Sequence, residues 1–339
     1  GPDGYKQHPI GAGPYKFVRQ TPGQELEFEA FTDYWRKSPA VKTLVIKGIA
    51  EDSTRVAQLQ TGEADLVNLV PGPLIDAVKS DNRLQLTATL CCSFWLEFPR
   101  WEDADSPFHD VKVRQAISLA LDRQALSDAE TAGLSPLEGN WISEDWPGAI
   151  KGPQLSFDPA RAKQLLAEAG FPNGFDVEDF TPWPPYNSLG ERIVTQLRDN
   201  LGIRFGRLNT MERGAAQAKL SEGREAFRGI LMNVSGSPGD AAVRIRTFAT
   251  CQGSASRTCV PEIDEKFARY EASTNPQERT QLLNEIQQYM IDNHIFVPVY
   301  RLAFVVAQGP KVANETQEIW GSIPQYIYVG PYEDLRSTE

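Results

Sequence analysis

Apolar and charged positions alternate from Glu25 to Ala30, with Leu26, Phe28 and Ala30 on one side and Glu25, Glu27 and Glu29 on the other. That period of two predicts a strand with one face in water. A second strand is expected from Leu44 to Ile49. Asp52 or Ser53 then offers a helix N-cap, Val56 and Leu59 share a helical face, and Gly62 ends the helix before an apolar strand at Asp65 to Val70. Together these segments predict a βαβ unit.

Beyond Asp110, Val113, Ile117, Ala120 and Leu121 recur at helical spacing and leave Lys112, Arg114 and Arg123 for solvent. Asp158 and Pro159 start another helix, with Ala162, Leu165, Leu166 and Ala169 inward and Gly170 as terminator. Asn275-Pro276 starts a third by the same device, carrying Leu282, Leu283, Ile286, Tyr289 and Met290 inward. Proline and glycine cluster at Trp146 to Pro153, Pro182 to Pro185 and Gly236 to Gly239, which read as loops rather than domain linkers. Strands interleaved with helices make the fold class α/β.

Composition narrows the function classes. At 339 residues, 41% hydrophobic and 23% charged, the chain has the makeup of a soluble globular protein of about two domains. A formal charge of −11 with no basic block argues against nucleic acid as a partner. No apolar run approaches the roughly 18 residues of a membrane span. The first residues show no charged segment followed by an apolar one, so an export signal is expected ahead of Gly1.

The candidate chemistry is sparse. Cys251 and Cys259 enclose CQGSASRTC, a short Gly/Ser-rich loop able to fold back, as in a small local disulfide of an exported protein. Cys91 and Cys92, adjacent in an apolar run, are expected as two buried small hydrophobes rather than a redox pair. His8, His109 and His294 lie far apart and outside any metal-ligand spacing, so neither metal nor cofactor is expected. Gly11 and Gly13 allow a turn, but Pro14 leads straight into an extended segment where a dinucleotide fold needs a third glycine and a helix. With no Gly-x-Ser-x-Gly elbow or phosphate loop either, an enzyme is not predicted.

HPIGAGPYKF (His8 to Phe17), PGQELEFEAFTDYW (Pro22 to Trp35), DSTRVAQLQTGEADL (Asp52 to Leu66), SPFHDVKVRQAISLALDR (Ser106 to Arg123), FDPARAKQLLAEAGF (Phe157 to Phe171) and IFVPVYRLAFVVA (Ile295 to Ala307) follow one another in the order of one family. The chain resembles the peptide, nickel and opine class of extracellular solute-binding proteins that serve ABC importers. The resemblance runs from His8 to about Val312, and it implies further polypeptide ahead of the Gly-Ala-Gly-Pro-Tyr turn, where only seven residues precede His8. It therefore implies a two-lobe, type II periplasmic-binding-protein-like fold with an incomplete first lobe. Residues 1–93 and 297–339 would belong to the first lobe and residues 94–296 to an inserted second lobe, with hinges near Cys92 to Phe98 and near Phe296 to Tyr300.

What the resemblance implies about function is capture of a small solute by lobe closure and its delivery to an ABC permease in the membrane, in the periplasm. The missing N-terminal segment, where it is a separate chain, would be a further partner. Such a site needs aromatic walls and a few inward polar groups. The candidates are Trp95, Glu97 and Phe98 at the first hinge, Trp183 and Tyr186 in the loop TPWPPY, and Tyr300 at the second hinge. Each aromatic reads equally well as packing, and Glu97 must be either paired or solvated.

The stretch MNVSGSPGD, Met232 to Asp240, departs from the family. Peptide-binding relatives carry an aromatic residue there and, three positions on, an aspartate that anchors the ligand's ammonium group; Met232 and Ser235 hold those places, with Asn233 between them. A hydroxyl cannot supply the charge-assisted bond, about 1.5–3 kcal/mol, that a carboxylate gives an ammonium. Asp240 is the remaining acid, with a turn or helix cap ahead of Ala241 as its simpler role. A sugar, an opine-like conjugate or a modified peptide is therefore expected, with an oligopeptide or dipeptide, or a ligand-sensing regulatory module on the same fold, as the alternatives.

Overall fold

The structure, a computed structural model, describes residue 4 and residues 8–235, 240–313 and 332–338. The chain divides into two compact units, Gly1–Cys91 with Ala303–Glu339, and Cys92–Leu302.

In the first unit, β1 (Tyr15–Thr21), β2 (Glu25–Ala30) and β3 (Thr43–Lys47) form an antiparallel three-stranded sheet in that order. The turn between β1 and β2 contains Gly23 at φ 74°, a left-handed conformation that a side chain would oppose. Helix α1 (Asp52–Thr61) ends at Gly62 as expected, but its N-cap is Glu51, one residue before Asp52 and two before Ser53, and its carboxylate accepts from Thr54 N at 2.7 Å. Helix α2 (Gly72–Lys79) buries Ile75 and Val78.

The βαβ expectation is corrected. Strand β3 pairs antiparallel with β2, whereas β4 (Leu66–Asn68) pairs antiparallel with β9 (Phe296–Gln308) in a different sheet, Leu66 opposite Gln308. The helix between them is a connection from one sheet to the other rather than a crossover within one sheet.

The second unit is entered along β5 (Gln85–Glu97) and left along β9. Its sheet continues from β5 to β8 (Gly229–Ser235), β6 (Asp176–Thr181) and β7 (Arg204–Leu208); β5 and β8 are antiparallel, while β6 is parallel to both of its neighbours. Helices α3 (Val111–Leu119), α4 (Arg123–Thr131), α5 (Pro159–Glu168) and α6 (Asn187–Leu201) precede α7 (Arg213–Ser221), α8 (Ala241–Phe248), α9 (Pro261–Ala272) and α10 (Pro276–Asp292). Side-chain caps hold several starts: Asp110 accepts from Lys112 N, Asp158 from Arg161 N, and Asn275 from Gln277 N and Glu278 N. The apolar faces expected for α5 and α10 are the buried ones, through Ala162, Leu165 and Leu166, and through Leu282, Leu283, Ile286 and Met290.

Two surface assignments are corrected. Arg114 and Arg123 are each only 2% exposed. Arg114 donates to the carbonyls of Phe108, His109 and Asn293 and lies 4.4 Å over the Trp101 ring; Arg123 donates to the carbonyls of Ser118 and Pro298. A planar guanidinium with five donors can sit inside when backbone carbonyls take its protons. The cysteines need a correction as well: Cys91 is buried and Cys92 half-buried, and both are disulfide-bonded rather than thiols.

Candidate ligand-binding site

Five of the sequence candidates, Trp95, Glu97, Met232, Asn233 and Ser235, lie on the last residues of β5 and on the β8 segment that pairs with them. In the register, Trp95 lies opposite Asn233 and Glu97 opposite Leu231, while Phe94 faces Val234 and Leu96 faces Met232. Alternation along the strand therefore sends Trp95, Glu97 and Asn233 to one face of the sheet and Phe94 and Met232 to the other.

On the first face, Glu97 is 1% exposed. Its Oε1 accepts from Trp95 Nε1 at 2.6 Å and from Asn233 Nδ2 at 3.0 Å, while its Oε2 has no hydrogen-bond partner among the described residues. Burial pushes this carboxyl up to about 7, against the opposing pull of the Asn233 and Trp95 bonds and of the Arg257 charge. Asn233 is held at both ends, since its Oδ1 also accepts from Val234 N at 2.8 Å. Trp95 belongs to the main core of the unit, stacked on Phe296 at 5.8 Å and edge-on to Trp141 at 5.4 Å and Phe248 at 5.3 Å.

Arg257 is the residue that sequence reading missed. It sits inside the loop closed by the Cys251–Cys259 disulfide, which is present as expected. The loop turns Arg257 inward, where it donates to Ser256 O at 2.6 Å and Leu220 O at 2.5 Å. Burial lowers its pKa and Glu97 raises it. The signal available in CQGSASRTC was a lone arginine in a loop otherwise made of small polar residues.

On the opposite face, Phe94 meets Tyr186 edge-on at 4.8 Å and Tyr300 at 5.6 Å. Tyr300 is buried, which drives its phenol well above the usual range, with Glu130 adding to the shift. Trp183 packs with Leu220, Phe227 and Leu231, and Tyr186 lies against that cluster. Phe98 is buried and stacks on Phe108 at 5.0 Å. Met232 is buried. Ser235 ends β8 opposite Ser93. Asp240 caps α8, its Oδ1 accepting from Val243 N at 2.8 Å. The loop residues 236–239 of the same motif lie outside the described residues.

The structure thus brings Trp95, Glu97 and Asn233 together, and separately Tyr186 and Tyr300 around Phe94. Two aromatic clusters flank one buried, half-satisfied carboxyl, and that arrangement carries hydrogen bonding and packing rather than an activated nucleophile beside a base.

The family model described as bacterial extracellular solute-binding proteins, family 5 middle, matches residues 1–256. The chain belongs to this family. Among its relatives, the glutathione-binding protein GsiB of Salmonella paratyphi A is 26% identical over 320 residues, which are 91% of this chain and 62% of that protein. The oligopeptide-binding protein AppA of Bacillus subtilis is 34% identical over 174 residues, 49% of this chain and 31% of AppA. The chain therefore spans about three fifths of the length of the GsiB relatives it matches. Two solved structures share the fold: DppA of Helicobacter pylori in complex with the peptide STSA, with a TM-score of 0.81 at 20% identity over 98% of this chain and 64% of that one, and AgaA of A. tumefacien R10 in complex with agropinic acid, with 0.76 at 23% identity over 98% and 67%. These two likenesses show that the chain shares the α/β fold of those binding proteins.

Proposed function

We propose that this chain is the solute-capturing component of an ABC importer, closing its lobes on a small polar solute and delivering it to a membrane permease outside the cytoplasm. The family match over residues 1–256 carries this reading. The aromatic groups at the end of β5 and the absence there of a nucleophile–base pair support binding without chemistry. The solute is an opine-like conjugate, a sugar or a modified peptide: Ser235 stands where a peptide reader needs an acid, Asp240 is engaged as a helix cap, and AgaA of the same fold is a complex with agropinic acid. A peptide is the second reading, favoured by the glutathione- and oligopeptide-binding relatives.

Mass spectrometry of the small molecule that copurifies with the protein, followed by calorimetry with that compound, tests both readings. Trp183→Ala is expected to weaken binding tenfold or more, from the loss of stacking worth about 1.5 kcal/mol. No copurifying solute, and no thermal stabilisation by opines, sugars or peptides, would remove the importer reading. Stabilisation by unmodified dipeptides alone would select the second.

A further inference from the structure

The chain has four cysteines, Cys91, Cys92, Cys251 and Cys259, and none of them is free. Cys251 is bonded to Cys259. Cys91 and Cys92 are disulfide-bonded as well, so within one chain each has the other as its partner. The bond joins neighbours in the sequence on β5, directly ahead of the Ser93 to Glu97 segment that pairs with β8. Two physical facts set such a bond apart. Consecutive Cα atoms are at most about 3.8 Å apart, inside the roughly 4.4–6.8 Å over which disulfides ordinarily close. Side chains of consecutive strand residues also leave for opposite faces, so the strand itself does not bring the two sulfurs together. Cys251 and Cys259 are eight residues apart, and the Gly/Ser-rich loop between them folds back without any such alternation. Access does not separate the two bonds, because Cys92, Cys251 and Cys259 are all half-buried; Cys91 is 6% exposed.

We infer that Cys91 and Cys92 form a vicinal disulfide and that this bond is the thiol–disulfide exchange site of the chain, with a dithiol as its co-reactant. Burial sets the order of events. A thiolate of the dithiol attacks the half-buried Cys92 Sγ, the Cys91–Cys92 bond breaks, and Cys91 leaves as a thiolate that takes up a proton. The second thiolate of the reagent then attacks the reagent sulfur of the mixed disulfide, which closes the reagent into a cyclic disulfide and releases Cys92 to be protonated in turn. The cysteine pair is reduced by two electrons and gains two protons, and the dithiol is oxidised by the same amount. Opened, the two side chains are free to follow the alternation of β5 just ahead of Trp95 and Glu97. The inference rests on the cysteine inventory and the strand, and stands apart from the identity of any solute.

Peptide mapping of the unsubstituted 339-residue chain by mass spectrometry tests it. Digested without reductant, the oxidised protein should yield a peptide holding both Cys91 and Cys92 that is linked to no other peptide and is lighter than its dithiol form by the hydrogens lost to the bond. In a titration with dithiothreitol followed by iodoacetamide, Cys91 and Cys92 should reach half alkylation at a dithiol concentration about tenfold below that needed for Cys251 and Cys259. A monothiol, cysteamine, should be trapped as a mixed disulfide on Cys92 while the iodoacetamide label falls on Cys91. The Cys251→Ser, Cys259→Ser variant should keep the same Cys91 and Cys92 titration. Free thiols at both positions in the oxidised protein, or a cross-link from either to a second chain or to Cys251 or Cys259, overturn the inference. So does a dithiol that opens Cys251–Cys259 first or both bonds together, and cysteamine found on Cys91 overturns the order of attack. None of these outcomes depends on whether a solute binds, so the importer reading fails or stands separately.

Discussion

Asn233 reaches across from β8 to donate its amide to Glu97 Oε1 at 3.0 Å, the same oxygen that takes the indole proton of Trp95 at 2.6 Å. One carboxyl oxygen thus takes two donors and its twin, Oε2, has no partner among the described residues. The consequence is a pH dependence with a definite sign. In the folded chain this carboxyl titrates near 7 instead of the ordinary 4.5, so the folded state holds a proton that the unfolded state has released.

Stability contributed by Glu97 should therefore be fully present below about pH 4.5 and decline as pH rises to about 7. The expected loss is on the order of 1–3 kcal/mol across that window. Glu97→Gln keeps an acceptor for Trp95 and Asn233 and removes the titration. Urea midpoints measured at pH 5, 6, 7 and 8 should flatten in the variant relative to the parent; identical slopes would refute the assignment.

Reducing the Cys251–Cys259 bridge, or replacing Cys251 and Cys259 by serine, should destabilise the second unit by about 2.5 kcal/mol, the loop-closure entropy of so short a ring. Because that loop delivers Arg257 to the Glu97 side of the sheet, the same change should also shift the Glu97 titration upward, as a neighbouring positive charge is lost. Thermal melts of the parent and of the Cys251→Ser, Cys259→Ser variant give the first quantity, since reductant would also open the bonds of Cys91 and Cys92, and the urea series gives the second.

Gly229 opens β8 at φ 92°, where an added Cβ would lie 2.2 Å from the carbonyl oxygen of Asp179 on the neighbouring strand. Neither the backbone conformation nor the parallel pairing can yield. Gly229→Ala should cost more than the ~1 kcal/mol of an unfavourable left-handed residue alone. A melting temperature within a degree of the parent would show that the β6–β8 pairing is looser than described.

Two ion pairs bridge β6 and β7 and should behave differently. Arg207 holds Asp179 with bonds of 2.6 and 2.9 Å, and the Asp179 side chain is 3% exposed; Arg204 holds Asp176 at 2.6 Å with both side chains largely in water. Arg207→Ala strands a buried carboxylate and should lower the melting temperature by several degrees, whereas Arg204→Ala should leave it unchanged. Equal effects would contradict the burial of Asp179.

Periodicity and capping chemistry were legible in the chain itself. The Leu26, Phe28 and Ala30 alternation, the Asp158-Pro159 and Asn275-Pro276 helix starts, and the Gly62 stop all act within a few residues, and such local preferences are written in order along the sequence. The Gly/Ser-rich loop between Cys251 and Cys259 was legible for the same reason. Pairing was not. Nothing near Thr43–Lys47 says that it joins β2 rather than β4, because hydrogen-bond partners in a sheet are chosen by residues far away. Burial of charge was hidden too: Arg114, Arg123 and Arg257 look like surface residues until the carbonyls of Asn293, Pro298 and Leu220 are brought to them. Glu97 shows the division most plainly. Its place on an apolar strand could be read directly, but which face it takes, the donors that hold one oxygen and the oxygen left without any were decided only when β8 was laid beside β5.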